Sequence, residues 1–159
     1  LAMAAGKPLI GVSGFDALDS VGRAFTARRP VKGRPTERVA TWVDAWRGEV
    51  YAALYQDGHE IEAPTVAHPT ELLAHMPKAP TVFIGDGAAT YADVIHAALG
   101  EHATIASSTP LLAGHIARLA IQAAQAGDRP APHAIRPLYV RRPDAELAKH
   151  ALLDRHPRR

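Results

Sequence analysis

Apolar positions crowd most densely between Val39 and Tyr55, VATWVDAWRGEVYAALY, where two hydrophobic runs flank a short polar turn. Val, Thr, Trp and Tyr favour a pleated backbone, and Arg47-Gly48 supplies the turn, Gly being free to take positive φ. The stretch predicts a β-hairpin. Val39, Thr41 and Val43 alternate with Ala40 and Trp42, while Val50, Ala52 and Leu54 alternate with Tyr51, Ala53 and Tyr55. A sheet with one wet face would carry a polar residue at every second position. Neither run does, so both strands are expected at the centre of a sheet covered by helices on both sides. Asp44 is the exception, a carboxylate at the end of the first run.

The other elements follow from spacing and punctuation. Leu1 to Ala5 is apolar and helix-forming, has no N-cap before it, and meets Gly6 and Pro8. It is read as the end of a helix that begins upstream, in a longer protein, with Leu9–Ser13 as a short strand. Phe15 to Arg23 predicts a helix capped by Ser13, with Phe15, Leu18 and Gly22 on one side. Glu60-Ile61-Glu62, polar at alternate positions, reads as a third, edge strand. Pro69 to Met76 is a short helix with Thr70 as its cap, and Thr81–Ile84 is a buried strand. Asp86-Gly87 turns into a helix from Ala88 to Leu99, its apolar face made by Tyr91, Val94, Ile95 and Ala98. A strand at 103–106 and a long helix from Pro110, capped by Thr109 and stopped by Gly127, complete the body. The apolar face of that helix is Leu112, Ile116, Leu119 and Ala123. The Pro-rich tail from Asp128 reads as an extended segment laid over the body, with a helical turn at Leu147–Leu153.

The order β-β-β-α-β-α-β-α builds a mixed sheet with helices on both faces. The fold class is therefore α/β, a ribonuclease H-like half-fold of the actin-like ATPase group. Residues 1–12 are assigned to the end of a truncated N-terminal lobe and 13–159 to a C-terminal lobe with an extended tail.

Composition narrows the function. The chain has 159 residues, 47% hydrophobic and 21% charged, with a net charge of +2, as in an ordinary globular domain. With no Cys there is neither a disulfide framework nor a thiolate metal site, which fits the cytoplasm. No apolar run is long enough to cross a bilayer. Arg23, Arg28, Arg29, Lys32, Arg34 and Arg38 form a basic segment broken by Pro30, Gly33 and Pro35. It reads as a solvated loop, or else as a phosphate-contacting patch for RNA; beyond Arg28 it has no interleaved aromatics that would stack bases.

Asp44, Gly85, Asp86 and Gly87 are the candidates for holding a nucleotide. The two carboxylates close strands where ligands of such sheets bind, and the glycines would let a backbone approach a phosphate. The plainer reading is that Asp86-Gly87 makes a turn that starts the next helix, and that Asp44 pairs with Arg47. There is no Walker-type loop. The nine His are scattered without the His-x-x-x-His pair of a zinc peptidase, and Gly11-Val12-Ser13-Gly14 is one residue short of a nucleophile elbow. No metal, cofactor or catalytic residue is assigned. Leu1, Met3, Ala4, Trp46, Arg47 and Glu49 are the candidates for touching another protein, Trp46 because a Trp on a turn is a natural contact residue.

Asp44-Ala-Trp-Arg-Gly-Glu-Val-Tyr51 resembles the hairpin signature of the TsaB (YeaZ) family. Three further stretches agree: Gly6 to Ser13, Gly85 to Ala88, and Arg136-Pro-Leu-Tyr-Val-Arg-Arg-Pro-Asp-Ala145. Where the family often has Arg after Asp-Ala, this chain has Trp46. The resemblance implies a degenerate member of a glycoprotease-like, actin-like group. It implies a non-catalytic partner in making N6-threonylcarbamoyladenosine in tRNA, which touches tRNA only through the complex. The partners implied are a TsaD-like paralogue, which carries metal and ATP chemistry, and a TsaE-like ATPase, with a homodimer in the full-length form. In the family the pairing uses mainly the N-terminal half. The alternative is an ATP-binding phosphotransferase of the same fold.

Overall fold

The computed structural model describes residues 2–27, 38–106 and 111–141. Its frame is a five-stranded sheet ordered β3-β2-β1-β4-β5. The hairpin is as the apolar pattern predicts. β1 (Arg38–Asp44) pairs antiparallel with β2 (Val50–Gln56), Val43 opposite Tyr51 and Thr41 opposite Ala53. β3 (His59–Ala67) adds to the outer side of β2 as a largely exposed edge strand. On the other side of β1, β4 (Thr81–Ile84) and β5 (Ala103–Ile105) run parallel to it. Three antiparallel strands followed by two parallel ones are the ribonuclease H-like layout.

Alternation along β1 and β2 sorts their side chains to two separate cores. Ala40, Trp42, Val50, Ala52 and Leu54 face one side, with Phe83, Leu73, Ile95 and Leu99. There Trp42 and Phe83 meet edge to face at 5.3 Å between ring centroids, the geometry that aromatic quadrupoles favour. This core is covered by α2 (Pro69–His75) and α4 (Ala92–Leu99). Val39, Ala53, Tyr55, Val82 and Ile84 face the other side, under Phe15 and Leu18 of α1 (Gly14–Ala27). The Phe15 N–H bonds the Ser13 hydroxyl at 3.2 Å, so Ser13 holds the start of α1 as expected. Gly22 lets that helix lie directly on β1, because a Cβ there would sit 2.6 Å from Val39 Cγ1.

Several expectations are corrected. Leu9–Ser13 is not a strand; Ser13 is committed to α1, and Gly11 packs against Ile135 of the tail. α2 starts from His68 rather than Thr70, because Pro69 takes the first helical position, and no side chain caps it. The helix placed at Ala88–Leu99 begins earlier and is broken. α3 (Asp86–Thr90) and α4 are separated at Tyr91, whose φ and ψ of −106° and 23° leave the helical region. Leu99, not Ala98, completes the buried face of α4. The last helix, α5 (Ala113–Gln125), has an amphipathic pattern but no buried residue; it leans on α1, where Ser20 Oγ and His115 Nδ1 lie 2.9 Å apart. Its cap at Thr109-Pro110, the Leu147–Leu153 turn and Leu1 lie outside the described residues.

Candidate functional site

The carboxyl ends of β1 and β4 lie side by side, and the candidate residues gather there. After β4, Gly85 adopts φ +115° and turns the chain directly into α3. A Cβ on Gly85 would collide with the carbonyl oxygen of Trp42. A Cβ on Gly87 would fall 2.9 Å from the Val43 carbonyl carbon and 3.0 Å from the Asp44 nitrogen. Both glycines are buried against the backbone of β1. Oδ1 of Asp86 accepts the Asp44 N–H at 3.0 Å and the Gly87 N–H at 2.8 Å. Asp44, Gly85, Asp86 and Gly87 are thus one cluster, as the sequence suggested. Their closeness joins two strand ends, and on the side where a Cβ would stand both glycines lie against the backbone of β1.

The turn after β1 is built differently. The Asp44 carboxylate accepts the Trp46 N–H at 3.0 Å through Oδ1, a local Asx-type contact. The Ala45 N–H bonds Glu49 O at 3.0 Å, and the Glu49 N–H bonds Trp46 O at 3.1 Å. Trp46, Arg47 and Gly48 have φ of 61°, 59° and 81°. Two side-chain-bearing residues in succession therefore occupy a region that costs about 1–2 kcal/mol each. The tip nevertheless stands in solvent, with Trp46 77% exposed. Its base is gripped from elsewhere in the chain. His68 Nδ1 lies 3.0 Å from Gly48 O. From the tail, Arg141 Nη1 donates to Ala45 O at 3.1 Å and Nη2 pairs with the Glu49 carboxylate. The same guanidinium sits 5.4 Å over the Tyr51 ring, a cation–π distance. Beside this grip, a cleft of about 520 Å³ runs between α1 and the tail, floored by Phe15, Leu18, Val43 and Tyr51.

The remaining candidates lie elsewhere. Met3 and Ala4 are exposed on the N-terminal turn, away from this cluster in the sequence and outside its hydrogen bonds. Two of the six cations of the basic segment are placed, and neither stands in a loop. Arg23, in α1, pairs with buried Asp19 at 2.9 Å, and Arg38, in β1, bonds Gln56 at 3.1 Å. Burial pushes the Asp19 carboxyl above its ordinary range, with the Arg23 guanidinium working the other way. Arg28, Arg29, Lys32 and Arg34 lie outside the described residues. Among the described residues no three His, Asp or Glu side chains gather where a metal ion could be held, and no helix is long and apolar enough to cross a membrane. Sequence reasoning missed His68 and Arg141 as holders of the turn. Arg141 stands in the quoted tail signature, but nothing in a linear pattern joins it to Glu49, 92 residues earlier.

No protein-family model matches the chain, and no curated protein matches it. Solved structures do. One is a crystal structure of an uncharacterized protein with similarity to peptidase YeaZ, from Pseudomonas aeruginosa; it shares 24% identity over 88% of this chain, with a TM-score of 0.66. Another, YeaZ from Pseudomonas aeruginosa, shares 24% identity over 87% of this chain, with a TM-score of 0.61. The chain has the YeaZ fold. It spans 62% of the length of each of these YeaZ-like structures. The mixed sheet with a core on each face is what the element order and the apolar pattern predict.

Proposed function

We propose that the chain is a TsaB (YeaZ) family protein and acts as a non-catalytic partner subunit in making N6-threonylcarbamoyladenosine in tRNA. It binds a TsaD-like catalytic paralogue, reaches tRNA only through the complex, and works in the cytoplasm. A TsaE-like ATPase joins the same assembly, and the full-length form also pairs with itself. The Asp44–Tyr51 and Arg136–Ala145 signatures and the YeaZ fold support the family reading.

One observation carries the partner role. At the sheet end where relatives of this layout bind ligands, the glycine turn is closed on its own backbone while the neighbouring turn holds an exposed Trp in a strained conformation. Strain kept at a solvent-facing tip, with its base gripped by Arg141 and His68, suits a rigid contact residue. Trp46 is therefore assigned a contact with the paralogue, with Arg47 and Glu49 beside it.

A pull-down of the intact protein with the TsaD-like paralogue tests this. Retention of the paralogue, weakened by Trp46→Ala, is the expected result; an intact protein that ignores the paralogue rejects the reading. Calorimetry with Mg-ATP addresses the phosphotransferase alternative, which rests on Asp44, Gly85, Asp86 and Gly87. Binding heat from the protein alone would favour that alternative.

A further inference from the structure

We infer that Arg141 is a positioning residue: the tail clamps the β1–β2 turn into the shape that presents Trp46. The inference rests on the reading of that turn as a partner contact. A backbone with Trp46 and Arg47 both at positive φ persists only where its surroundings over-determine it. The bonds within the turn, from Ala45 to Glu49 and from Glu49 to Trp46, are local and reform wherever the turn forms. Arg141 supplies a constraint from outside. Its guanidinium bonds the Ala45 carbonyl on the near side of the tip, pairs with the Glu49 carboxylate on the far side, and lies over Tyr51 at the start of β2.

One planar fork thus spans both legs of the turn, which a lysine ammonium could not reproduce. An exposed salt bridge would contribute little, but this one differs in two ways. The Arg141 side chain is 23% exposed, so solvent screens it less. One of its acceptors is also a backbone carbonyl, whose position fixes the chain path. The tail is anchored where it needs to be. Val140 packs into the core beside Val43 and Tyr51, while the preceding Leu138 and Tyr139 are 61% and 78% exposed. Among the described residues of the tail, Val140 and Arg141 fasten it beside the turn, and tail position and turn shape are coupled.

The test uses the fact that the chain has two Trp. In a Trp42→Phe background, fluorescence anisotropy and acrylamide quenching report Trp46 alone. If that background does not fold, fluorotryptophan NMR of protein with the native core reads the same side chain, assigned with Trp46→Phe. Arg141→Ala is expected to lower the Trp46 anisotropy with at most a small fall in the melting temperature. It should weaken binding of the TsaD-like paralogue on the order of tenfold, as when a preorganised contact is loosened. Arg141→Lys should restore only part of both signals, and Glu49→Gln combined with Arg141→Ala should add little to either change alone. An unchanged Trp46 signal in Arg141→Ala overturns the clamp, whatever the paralogue does. A loosened Trp46 with undiminished affinity overturns instead the reading of the turn as a partner contact.

Discussion

β1 and β4 run parallel and end side by side, and the turns that leave them are tied by the bond from the Asp44 N–H to the Asp86 carboxylate. In the turn after β4, glycine allows the backbones of β1 and α3 to touch, and one carboxylate oxygen serves two N–H groups at the junction. In the turn after β1, residues with large side chains occupy the left-handed region, and their side chains project into solvent. The first turn uses its unusual backbone to close a gap. The second uses it to display an indole. The same Gly-Asp-Gly and Asp-Ala-Trp-Arg letters could have been read as two halves of a phosphate site. The difference between a filled and an offered turn is what favours a protein partner.

Filling the closed turn should be the most damaging change. Gly85→Ala puts a methyl group against the Trp42 carbonyl and asks Ala to hold φ +115°. We expect a loss of about 3 kcal/mol or more in urea unfolding, within the range for strain combined with overpacking. A midpoint equal to that of the unmutated protein would mean that the turn has room, and the phosphate reading would regain its footing. Next in size is the offered turn. Trp46→Ala should weaken paralogue binding by about 2 kcal/mol, roughly thirtyfold, when measured by calorimetry on the intact protein. Its melting temperature should stay unchanged, because the indole leaves no core behind. A lowered melting temperature with unchanged affinity would make Trp46 a structural residue and dissolve the contrast.

How much of this was legible beforehand depended on sequence distance. The hairpin and the two-sided core follow from the pattern within 17 consecutive residues, Val39 to Tyr55, and the edge strand from the alternation at Glu60–Glu62; the structure has all three there. The start of α1 followed from Ser13 by a bond of one turn's reach. The four glycine-turn candidates fall together because β1 and β4, being parallel neighbours, finish at the same end of the sheet. Their chemistry was not legible, because whether a glycine faces a ligand or its own backbone depends on the register of β1 against β4. Nor could the clamp be read, since Arg141 and Glu49 meet only through the path of α5 and the tail. The break at Tyr91 was hidden by a helical pattern continuous through it.

A smaller effect tests the bond between the two turns. Asp86→Ala strands the Asp44 and Gly87 N–H groups together, and should cost about 1–2 kcal/mol in urea unfolding, the usual size for donors left without an acceptor. Asp86→Asn retains a carbonyl oxygen at the same place and should lose less. If the two variants lose equally, the carboxylate charge rather than its hydrogen bonds matters at this junction, and the turn is not merely closed.

Asp44→Asn should do least and discriminate most. In the display reading, Asp44 accepts the Trp46 N–H through one side-chain oxygen. An amide carbonyl can accept the same bond, and the position is a local Asx-type contact in which Asn is as suitable as Asp. Stability and paralogue affinity should therefore stay within about 0.5 kcal/mol of the unmutated protein. In the phosphotransferase reading the same carboxylate helps hold Mg²⁺, and loss of its charge should abolish any Mg-ATP heat of the intact protein. Near-silence of Asp44→Asn in both assays fits a turn whose acid is an acceptor of one backbone proton. A collapse of nucleotide binding would show that the open end of β1 has a use that its exposed Trp does not explain.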